Sequence, residues 1–254
     1  MTSPAPSGSP PPLAPRAWLR WDLVDRLVAE LRPATVLEIG CGQGSVGARL
    51  AQRADYLAVE PDPASFAVAE ARVAACGGTV LAVDHTGVPA GRRYDLVCAF
   101  EVLEHLADDA AALAEWAALV RPGGHLMLSV PAFQRRYGAM DVRVGHYRRY
   151  DPDQLAERLA EAGLVRSRVQ LYGWPLGYAL ELVRNRIDAR HLAADHADEP
   201  TPEERTAASG RHLQPGNGLV GRGVELATLP FRYLQRLAPT LGTGLVAVAT
   251  RPAE

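Results

Sequence analysis

The sequence contains no lysine, so all 27 of its cationic side chains are arginine, and its formal net charge at pH 7 is −2. A dedicated nucleic-acid-binding protein is usually strongly basic, and this near-neutral balance therefore argues against a nucleic-acid partner. Cysteine is also scarce, because the only three residues are Cys41, Cys76 and Cys98, and they form no C-x-x-C pair. Their spacing thus indicates neither a zinc site nor a disulfide framework.

Long apolar runs are missing as well, and no segment approaches the roughly 20 consecutive apolar residues that cross a bilayer as a helix. The first fifteen residues, MTSPAPSGSPPPLAP, lack the charged start and the apolar core of a secretory signal. We therefore expect a disordered tail over residues 1–16 and a cytoplasmic protein. The remaining residues, 17–254, are long enough for a single domain with a sizeable core.

Short apolar runs alternate with helical patterns in the first two thirds of the chain. Strands are predicted at residues 35–39, 56–59, 79–83, 94–100 and 125–130, with helices in most of the intervals. Strands that alternate with helices at such short spacing predict an α/β fold, a doubly wound and mostly parallel sheet with helices on both faces.

Two further strands are predicted at residues 165–172 and 244–250. Roughly seventy residues separate them, far above the usual connection length, so this insertion must have structure of its own. Apolar residues at helical spacing predict helices at 174–187 and 219–237 within it.

A glycine-rich loop follows the first predicted strand. The segment VLEIGCGQGSVG, residues 36–47, contains Gly40, Gly42, Gly44 and Gly47. Read from the second of these glycines, it matches the G-x-G-x-x-G pattern of loops that bind a dinucleotide pyrophosphate. Glu60, at the end of the next strand, lies where a carboxylate accepts hydrogen bonds from ribose hydroxyls. The sequence therefore predicts a nucleoside-binding strand–loop–helix unit.

Glu38 decides which nucleoside compound this loop favours. A carboxylate beside the loop would repel a diphosphate, at a cost on the order of a few kcal/mol in a partly desolvated pocket. The same carboxylate would attract a ligand that carries an ammonium and a sulfonium group. We therefore favour a cationic sulfur compound over a nicotinamide dinucleotide, whose oxidoreductases are the alternative class.

The order of several segments resembles the class I S-adenosylmethionine-dependent methyltransferases over residues 17–172, and again at the last strand. The segments that carry the resemblance are VLEIGCGQG, LAVEPD, VLAVD, YDLVCAFEVLEHLADD and LVRPGGHLMLSVP. The resemblance implies a seven-stranded sheet with the last strand antiparallel, and S-adenosylmethionine as cofactor. The cofactor-binding residues that it implies are Glu38, Gly40, Gly42, Gly44, Glu60 (on the ribose), Asp84 (near the adenine) and Glu101.

The stretch Glu101-Val102-Leu103-Glu104-His105 begins where the fourth strand ends. It is similar to a segment of metal-dependent O-methyltransferases, namely the small-RNA 2′-O-methyltransferases and the ubiquinone-pathway enzymes. The similarity implies a divalent ion such as Mg²⁺, Mn²⁺ or Zn²⁺, held by Glu101, Glu104, His105 and His146. The alternative is metal-free, because Leu-Glu-His is also frequent in members where these side chains line the pocket or cap a helix.

His105 and His146 are the candidate catalytic residues. A histidine accepts a proton near neutral pH, so His146 is a candidate general base for a hydroxyl acceptor as well as a candidate metal ligand. Arg148 and Arg149 either grip an anionic group of the acceptor or pair with surface acids such as Asp141.

These features favour methyl transfer to a hydroxyl of a small molecule, such as a secondary metabolite or a glycolipid precursor, with or without a metal ion. The alternatives are transfer to nitrogen or carbon without a metal ion, and a non-catalytic partner that keeps the fold. Additions before the last strand commonly cover the acceptor pocket in this family, so residues 174–240 are interpreted as a lid for a bulky or lipid-linked acceptor. The other interpretation is a dimer surface, and we expect a monomer or a homodimer.

Overall fold

The described residues, 8–194 and 219–253 of this computed structural model, form a seven-stranded sheet. Its strands are β1 (Thr35–Ile39), β2 (Asp55–Val59), β3 (Thr79–Leu81), β4 (Tyr94–Phe100), β5 (Val120–Pro131), β6 (Val165–Gly173) and β7 (Gly242–Thr250). Their order is β3-β2-β1-β4-β5-β7-β6, and β7 runs antiparallel to both β5 and β6 while the other pairs are parallel. The predicted doubly wound sheet with an antiparallel last strand is confirmed.

Helices cover both faces of the sheet. Those described are α1 (Pro15–Leu31), α2 (Gly47–Leu50), α3 (Pro63–Ala74), α4 (Asp109–Leu119), α5 (Ala139–Val144), α6 (Pro152–Glu161), α7 (Leu176–Ala194) and α8 (Leu219–Leu237). Local sequence sets several of their starts: Asp62 accepts a hydrogen bond from the backbone amide of Ser65, with Pro63 at the first helical position. None of the described helices combines the length and the apolarity needed to cross a bilayer.

The core consists of two apolar layers, one on each side of the sheet. Successive strand residues point to opposite faces, so Val36 joins the layer under α1 while Leu37 joins the layer under α4. Neighbouring Val97 and Cys98 on β4 divide in the same way. Burial on both faces explains why these parallel strands appear in the sequence as continuous apolar runs.

The strand order reverses between β1 and β4. Strands β2 and β3 lie on one side of this pair and β5, β7 and β6 on the other. In open parallel sheets, ligands bind in the crevice outside the carboxyl ends of the strands at such a switch point. Glu38 of β1 lies opposite Cys98 of β4, so the glycine loop and the segment that begins at Glu101 leave the sheet side by side.

Residues 8–14 precede α1 and pack on the body of the protein. The amide of Gly8 donates to the carbonyl of Ala75 at 3.0 Å, and Leu13 is 2% exposed. Helix α1 begins at Pro15. This corrects the boundary of the disordered tail expected over residues 1–16, because Leu13 contributes to the core; residues 1–7 lie outside the described part of the chain.

The insertion before β7 contains α7 and α8. Helix α8 has the predicted bounds, and α7 is longer than the predicted 174–187. Helix α8 lies against α1 and β6, where the side-chain oxygen of Gln235 accepts a hydrogen bond from the amide of Gly173. The intervening residues 195–218 lie outside the described residues.

Replacement of Leu113 by alanine should lower the free energy of unfolding by about 2–5 kcal/mol, because this fully buried side chain would leave a cavity between α4 and the sheet. Denaturant titration followed by circular dichroism measures the change. Leu182→Ala is the matched control, since Leu182 is 52% exposed and should change the same quantity by less than about 0.5 kcal/mol. Equal effects of the two substitutions would contradict the assigned core.

Candidate functional site

A cavity of about 310 Å³ opens at the carboxyl ends of β1 and β4. Helix α1, the glycine loop, the segment after β4 and the region around α5 form its walls. The charged or titratable side chains among its described lining are those of Arg16, Arg20, Glu38, Cys41, Glu101, His105, His146 and Arg184. The insertion before β7 is interpreted from the sequence as a lid. It contributes Arg184 of α7 to this described lining.

The glycine loop requires glycine at two positions. Gly40 has φ +68°, and a Cβ there would lie 2.8 Å from a methyl carbon of Val102. Gly44 has φ +73°, and a Cβ there would lie 2.9 Å from a methyl carbon of Val73. Side chains at either position would therefore both strain the backbone and clash. The loop stays close to the segment after β4, and its backbone lines the cavity.

Helix α2, which follows the loop, has only four residues, Gly47–Leu50. A dinucleotide pyrophosphate is normally bound at the N-terminus of a full-length helix, where unpaired amides and the helix dipole favour an anion. The short α2 offers little of this, and Glu38 adds a carboxylate to the same wall. The local structure thus agrees with the choice of a cationic ligand over a diphosphate.

Glu38 is buried in the cavity wall. It is 2% exposed, and the hydroxyl of Tyr56 donates a hydrogen bond to its Oε2 at 2.5 Å. Burial raises the pKa of Glu38 to about 7, although the Tyr56 hydrogen bond and the charge of Arg20 act in the opposite direction. A cation that enters the cavity would stabilise the ionised form.

Glu60 and Asp84, which were predicted to bind the ribose and the adenine, lie after β2 and β3 but outside the described lining of the cavity. Glu60 accepts hydrogen bonds from the amides of Gly42, at 2.7 Å, and Asp62, at 3.0 Å. Asp84 is exposed and caps a short 3₁₀ turn by accepting from the amide and hydroxyl of Thr86. Both side chains have local structural roles here, and their cofactor contacts remain predictions.

Glu101 is held by the protein on several sides. The hydroxyls of Ser129 and Tyr172 lie 3.0 and 3.2 Å from its Oε1, and the guanidinium groups of Arg16 and Arg20 lie 3.5 Å from its carboxylate. Burial alone would raise the pKa of Glu101, but the charges of Arg16, Arg20 and His146 outweigh it and hold this pKa at about 2. Glu101 is therefore ionised and already paired.

Glu104, His105 and His146 form a cluster whose candidate ligand atoms all lie within 4.8 Å of one another. The rings of His105 and His146 are nearly perpendicular, with centroids 4.6 Å apart. Glu101, the fourth predicted ligand, is not part of this described cluster, and its carboxylate pairs with Arg16 and Arg20. Metal binding by these four residues remains a prediction.

Glu104 is completely buried, and neither of its carboxylate oxygens has a hydrogen-bond partner among the described residues. Burial and the neighbouring charge of Glu101 raise the pKa of Glu104 well above its ordinary value. Burial and His146 also lower the pKa of His105 to about 3, so this imidazole is neutral. The chemistry of this donor set fits a divalent cation, which would ionise the orphaned carboxyl group.

His146 forms a pair with Asp141. Its Nδ1 lies 2.8 Å from Asp141 Oδ1, and its Nε2 faces Glu104 Oε1 at 3.8 Å. Hydrogen bonds from His146 and Arg149 outweigh the effect of burial and lower the pKa of Asp141 to about 2. An ionised Asp141 accepts the Nδ1 proton, so the lone pair of the neutral ring is on Nε2.

The interpretation of Arg148 and Arg149 as partners of acids is correct. Arg148 pairs with Asp109 at 3.1 Å, and the fully buried Arg149 pairs with Asp141 at 2.8 Å and with Glu181 at 3.1 Å. Asp141, expected on the surface, is completely buried. Its role was missed because the sequence shows only an isolated acid near a basic run.

Sequence reasoning also missed Arg16 and Arg20, which face the cavity from α1. Their spacing of four residues places them on one side of the helix, and this was the available signal. Tyr56, the partner of Glu38, lies on β2 and has no sequence signal, because the contact depends on strand pairing.

Residues 14–166, more than half of the chain, match the protein family described as a methyltransferase domain. A ubiquinone biosynthesis O-methyltransferase of Leptothrix cholodnii is 32% identical over 117 residues, which are 44% of this chain and 50% of that protein. The chain spans about half the length of the curated relatives that it matches.

Solved structures share the fold at low identity. The N-methyltransferase NodS of Bradyrhizobium japonicum, in complex with S-adenosylhomocysteine, is 17% identical with a TM-score of 0.53, over 92% of this chain and 86% of that one. A chain from the complex of a Haloferax volcanii methyltransferase activator with a methyltransferase is also 17% identical, with a TM-score of 0.57, over 92% and 90%. Together with the strand order and the glycine loop, the family match shows that the chain belongs to the class I S-adenosylmethionine-dependent methyltransferases.

Proposed function

We propose that this protein transfers the methyl group of S-adenosylmethionine to a hydroxyl oxygen of a small acceptor molecule. The observation that carries the proposal is the Asp141–His146 pair, whose Nε2 faces the cavity region at the carboxyl end of β4. The curated relatives, which match nearly half of this chain, are named O-methyltransferases, and this supports oxygen as the methylated atom. A cytoplasmic location and a monomeric or homodimeric state remain predictions.

The methyl donor is assigned to the glycine-loop side of the cavity. Its ammonium and sulfonium groups would be attracted to Glu38, whose buried carboxyl group gains a counter-charge when the ligand binds. The other residues assigned to the donor are Gly40, Gly42 and Gly44 on the loop, Glu60 for the ribose, Asp84 for the adenine and Glu101 beside the methionyl end.

The transfer is an in-line displacement at an activated carbon. The acceptor oxygen forms the new bond to the methyl carbon while the carbon–sulfur bond breaks and sulfur retains the electron pair, leaving S-adenosylhomocysteine. Alignment of the two reactants contributes about 7–11 kcal/mol to such reactions. In this protein the acceptor's hydroxyl proton passes to Nε2 of His146, and ionised Asp141 stabilises the imidazolium that forms.

His105 and Glu104 complete the wall beside that nitrogen. Neutral His105 packs edge-on against His146 and limits the orientations of the ring. Glu104, His105 and His146 are also the residues that would hold a divalent ion, and the orphaned oxygens of Glu104 support this alternative. A bound ion would lower the pKa of an acceptor hydroxyl, and His146 would then be a ligand and not the base.

Replacement of His146 by glutamine should lower kcat by between about a hundredfold and ten-thousandfold, because the acceptor hydroxyl loses its proton acceptor. The assay measures methyl transfer from labelled S-adenosylmethionine to a catechol such as dihydroxybenzoate, and to the corresponding diamine. Donor affinity, measured by calorimetry, should be unchanged. His125→Gln is the control, since His125 lies at the other end of the sheet near Thr250. Preferred methylation of the diamine, with kcat unaffected in H146Q, would overturn the proposal.

The metal alternative is separated by removing divalent ions with a chelator. If a metal ion assists, activity disappears on chelation, returns with Mg²⁺, Mn²⁺ or Zn²⁺, and is not restored in Glu104→Gln, because that variant loses the buried carboxylate ligand. Glu161→Gln is the matched control, since Glu161 is exposed on α6. Full activity of the chelated wild-type protein would eliminate the metal ion and leave His146 as the base.

Affinity for S-adenosylmethionine should fall as the pH is lowered through about 7, because the cation binds the ionised form of Glu38 and that group takes up a proton in the free protein. One pH unit below that pKa, the affinity should be about tenfold weaker than its high-pH limit. Calorimetry measures the affinity over this pH range for wild type and for Glu38→Gln. The difference between the two profiles is the contribution of Glu38, because titration of the ligand itself affects both proteins equally. Glu70→Gln, an equal charge change on the exposed side of α3, should keep the wild-type dependence. An unchanged pH profile in E38Q, or tight binding of a nicotinamide dinucleotide, would contradict this assignment.

A further inference from the structure

The side of helix α8 that faces solvent is rich in large apolar residues, whereas the residues buried most deeply are small or polar. Its buried residues are Gly221, Thr228 and Gln235. Its exposed large apolar residues are Leu219, Val220, Leu226, Tyr233, Leu234 and Leu237. A surface helix of a globular protein normally buries its apolar residues, but in α8 only Val224 and Phe231 pack against the core while this larger apolar set faces solvent.

The exposed residues form a continuous stripe along the helix. Leu219, Leu226, Tyr233 and Leu237 follow one another at spacings of seven and four residues, which place them on one side. Their exposed fractions are 87%, 65%, 61% and 80%. A contiguous apolar surface of this kind marks an interaction site, whereas single exposed apolar residues do not.

Polar contacts hold α8 in this orientation. Gln235 accepts from the amide of Gly173 and donates to the carbonyl of Leu19 at 3.0 Å, and Arg236 pairs with the buried Asp22 of α1. A rotation that buried the apolar stripe would break these bonds and leave Asp22 without these partners. These contacts therefore fix the apolar stripe on the outer side of the helix.

The charges beside the stripe indicate the partner. The exposed basic side chains of α8 are Arg222 and Arg236, of which Arg236 pairs with Asp22, whereas its one acid, Glu225, is half-buried. An exposed face that combines aliphatic and aromatic residues with arginine, and contains no exposed acid, suits an anionic lipid surface. Such a helix lies in the plane of the membrane and does not cross it.

A second copy of the chain fits this face less well. An antiparallel second copy of α8 would place no exposed acid opposite Arg222, because the one acid of the helix, Glu225, is half-buried. The charge of Arg222 would therefore lie unpaired in such an interface. The preceding segment, residues 195–218, contains a single large aliphatic residue, Leu213, and so offers little apolar surface to cover the stripe.

Helix α7 independently exposes apolar residues, although Leu176 at its start packs against the core. Its acids Glu181 and Asp188 are buried, at 5% and 4% exposure, whereas Leu182, Val183 and Ile187 are about half exposed. Both described helices of the insertion thus present apolar residues to solvent.

We propose that α8 is an interfacial helix that docks the protein on anionic lipid surfaces through Leu219, Leu226, Tyr233 and Leu237, with Arg222 beside the lipid headgroups. This goes beyond methyl transfer and does not depend on which atom is methylated. It also provides a physical route to acceptors that reside in such a surface.

Sedimentation with vesicles of phosphatidylcholine alone, or of equal parts phosphatidylcholine and phosphatidylglycerol, tests the proposal on the full chain. Wild type should partition onto the anionic vesicles and much less onto the neutral ones. The partition coefficient on anionic vesicles should be at least about tenfold lower for the double variant Leu226→Glu, Tyr233→Glu than for wild type, and about fivefold lower for Arg222→Gln. Val165→Glu adds a charge at an exposed aliphatic position outside α8 and should bind as wild type does.

Several results would overturn the proposal: no sedimentation of wild type with anionic vesicles, equal binding to neutral ones, or wild-type binding by the double variant. A dimer seen by light scattering that the double variant dissociates, without vesicle binding by wild type, would assign the stripe to a second copy. Circular dichroism of each variant checks that the exposed substitutions leave the fold intact. The readout needs no acceptor, so failure of the proposed methyl transfer would be seen separately.

Discussion

The parallel pairing of β1 with β4 is the constraint on which the rest of the site depends. Glu38 lies opposite Cys98 in this pair, and the strand order reverses there, so the connections leave the two strands on opposite faces and a crevice stays open between them. The glycine loop after β1 and the segment after β4 therefore meet at one edge of the sheet. Helix α1 closes the crevice and contributes Arg16 and Arg20 to its wall.

Burial of charge at this edge determines what each carboxyl group can do. Glu101 is paired by Arg16 and Arg20 and stays ionised, and Asp141 is paired by Arg149 and His146 in the same way. Glu104 has no hydrogen-bond partner in the described structure, and burial raises the pKa of its carboxyl group well above the ordinary value. Glu104 thus differs in chemistry from Glu101 and Asp141, because the cost of burying a charge depends on whether a counter-charge lies beside it.

The burial pattern of the insertion differs from that of the core. In the sheet, apolar residues point inward and alternate between the two layers, as the patterns predicted. In α7 and α8 the apolar periodicity predicted helices correctly, but buried acids and amides face the protein while many of the large apolar side chains face outward. Hydrophobic period thus identifies a helix without fixing which side is buried, since Asp22 and Gln235 determine that through contacts more than 200 residues apart in sequence.

The sequence by itself determined the succession of strands and helices, the glycine-rich pattern of residues 36–47, and the family resemblance that follows from them. These features depend on short-range sterics and on periodicity, which a few neighbouring residues encode. Only the tertiary structure decided that Glu101 pairs with two arginines of α1, and that Asp141 is a buried partner of His146. The reason is physical: the pKa and the partners of a side chain depend on groups that are distant in sequence and adjacent in space, and chain folding alone brings them together.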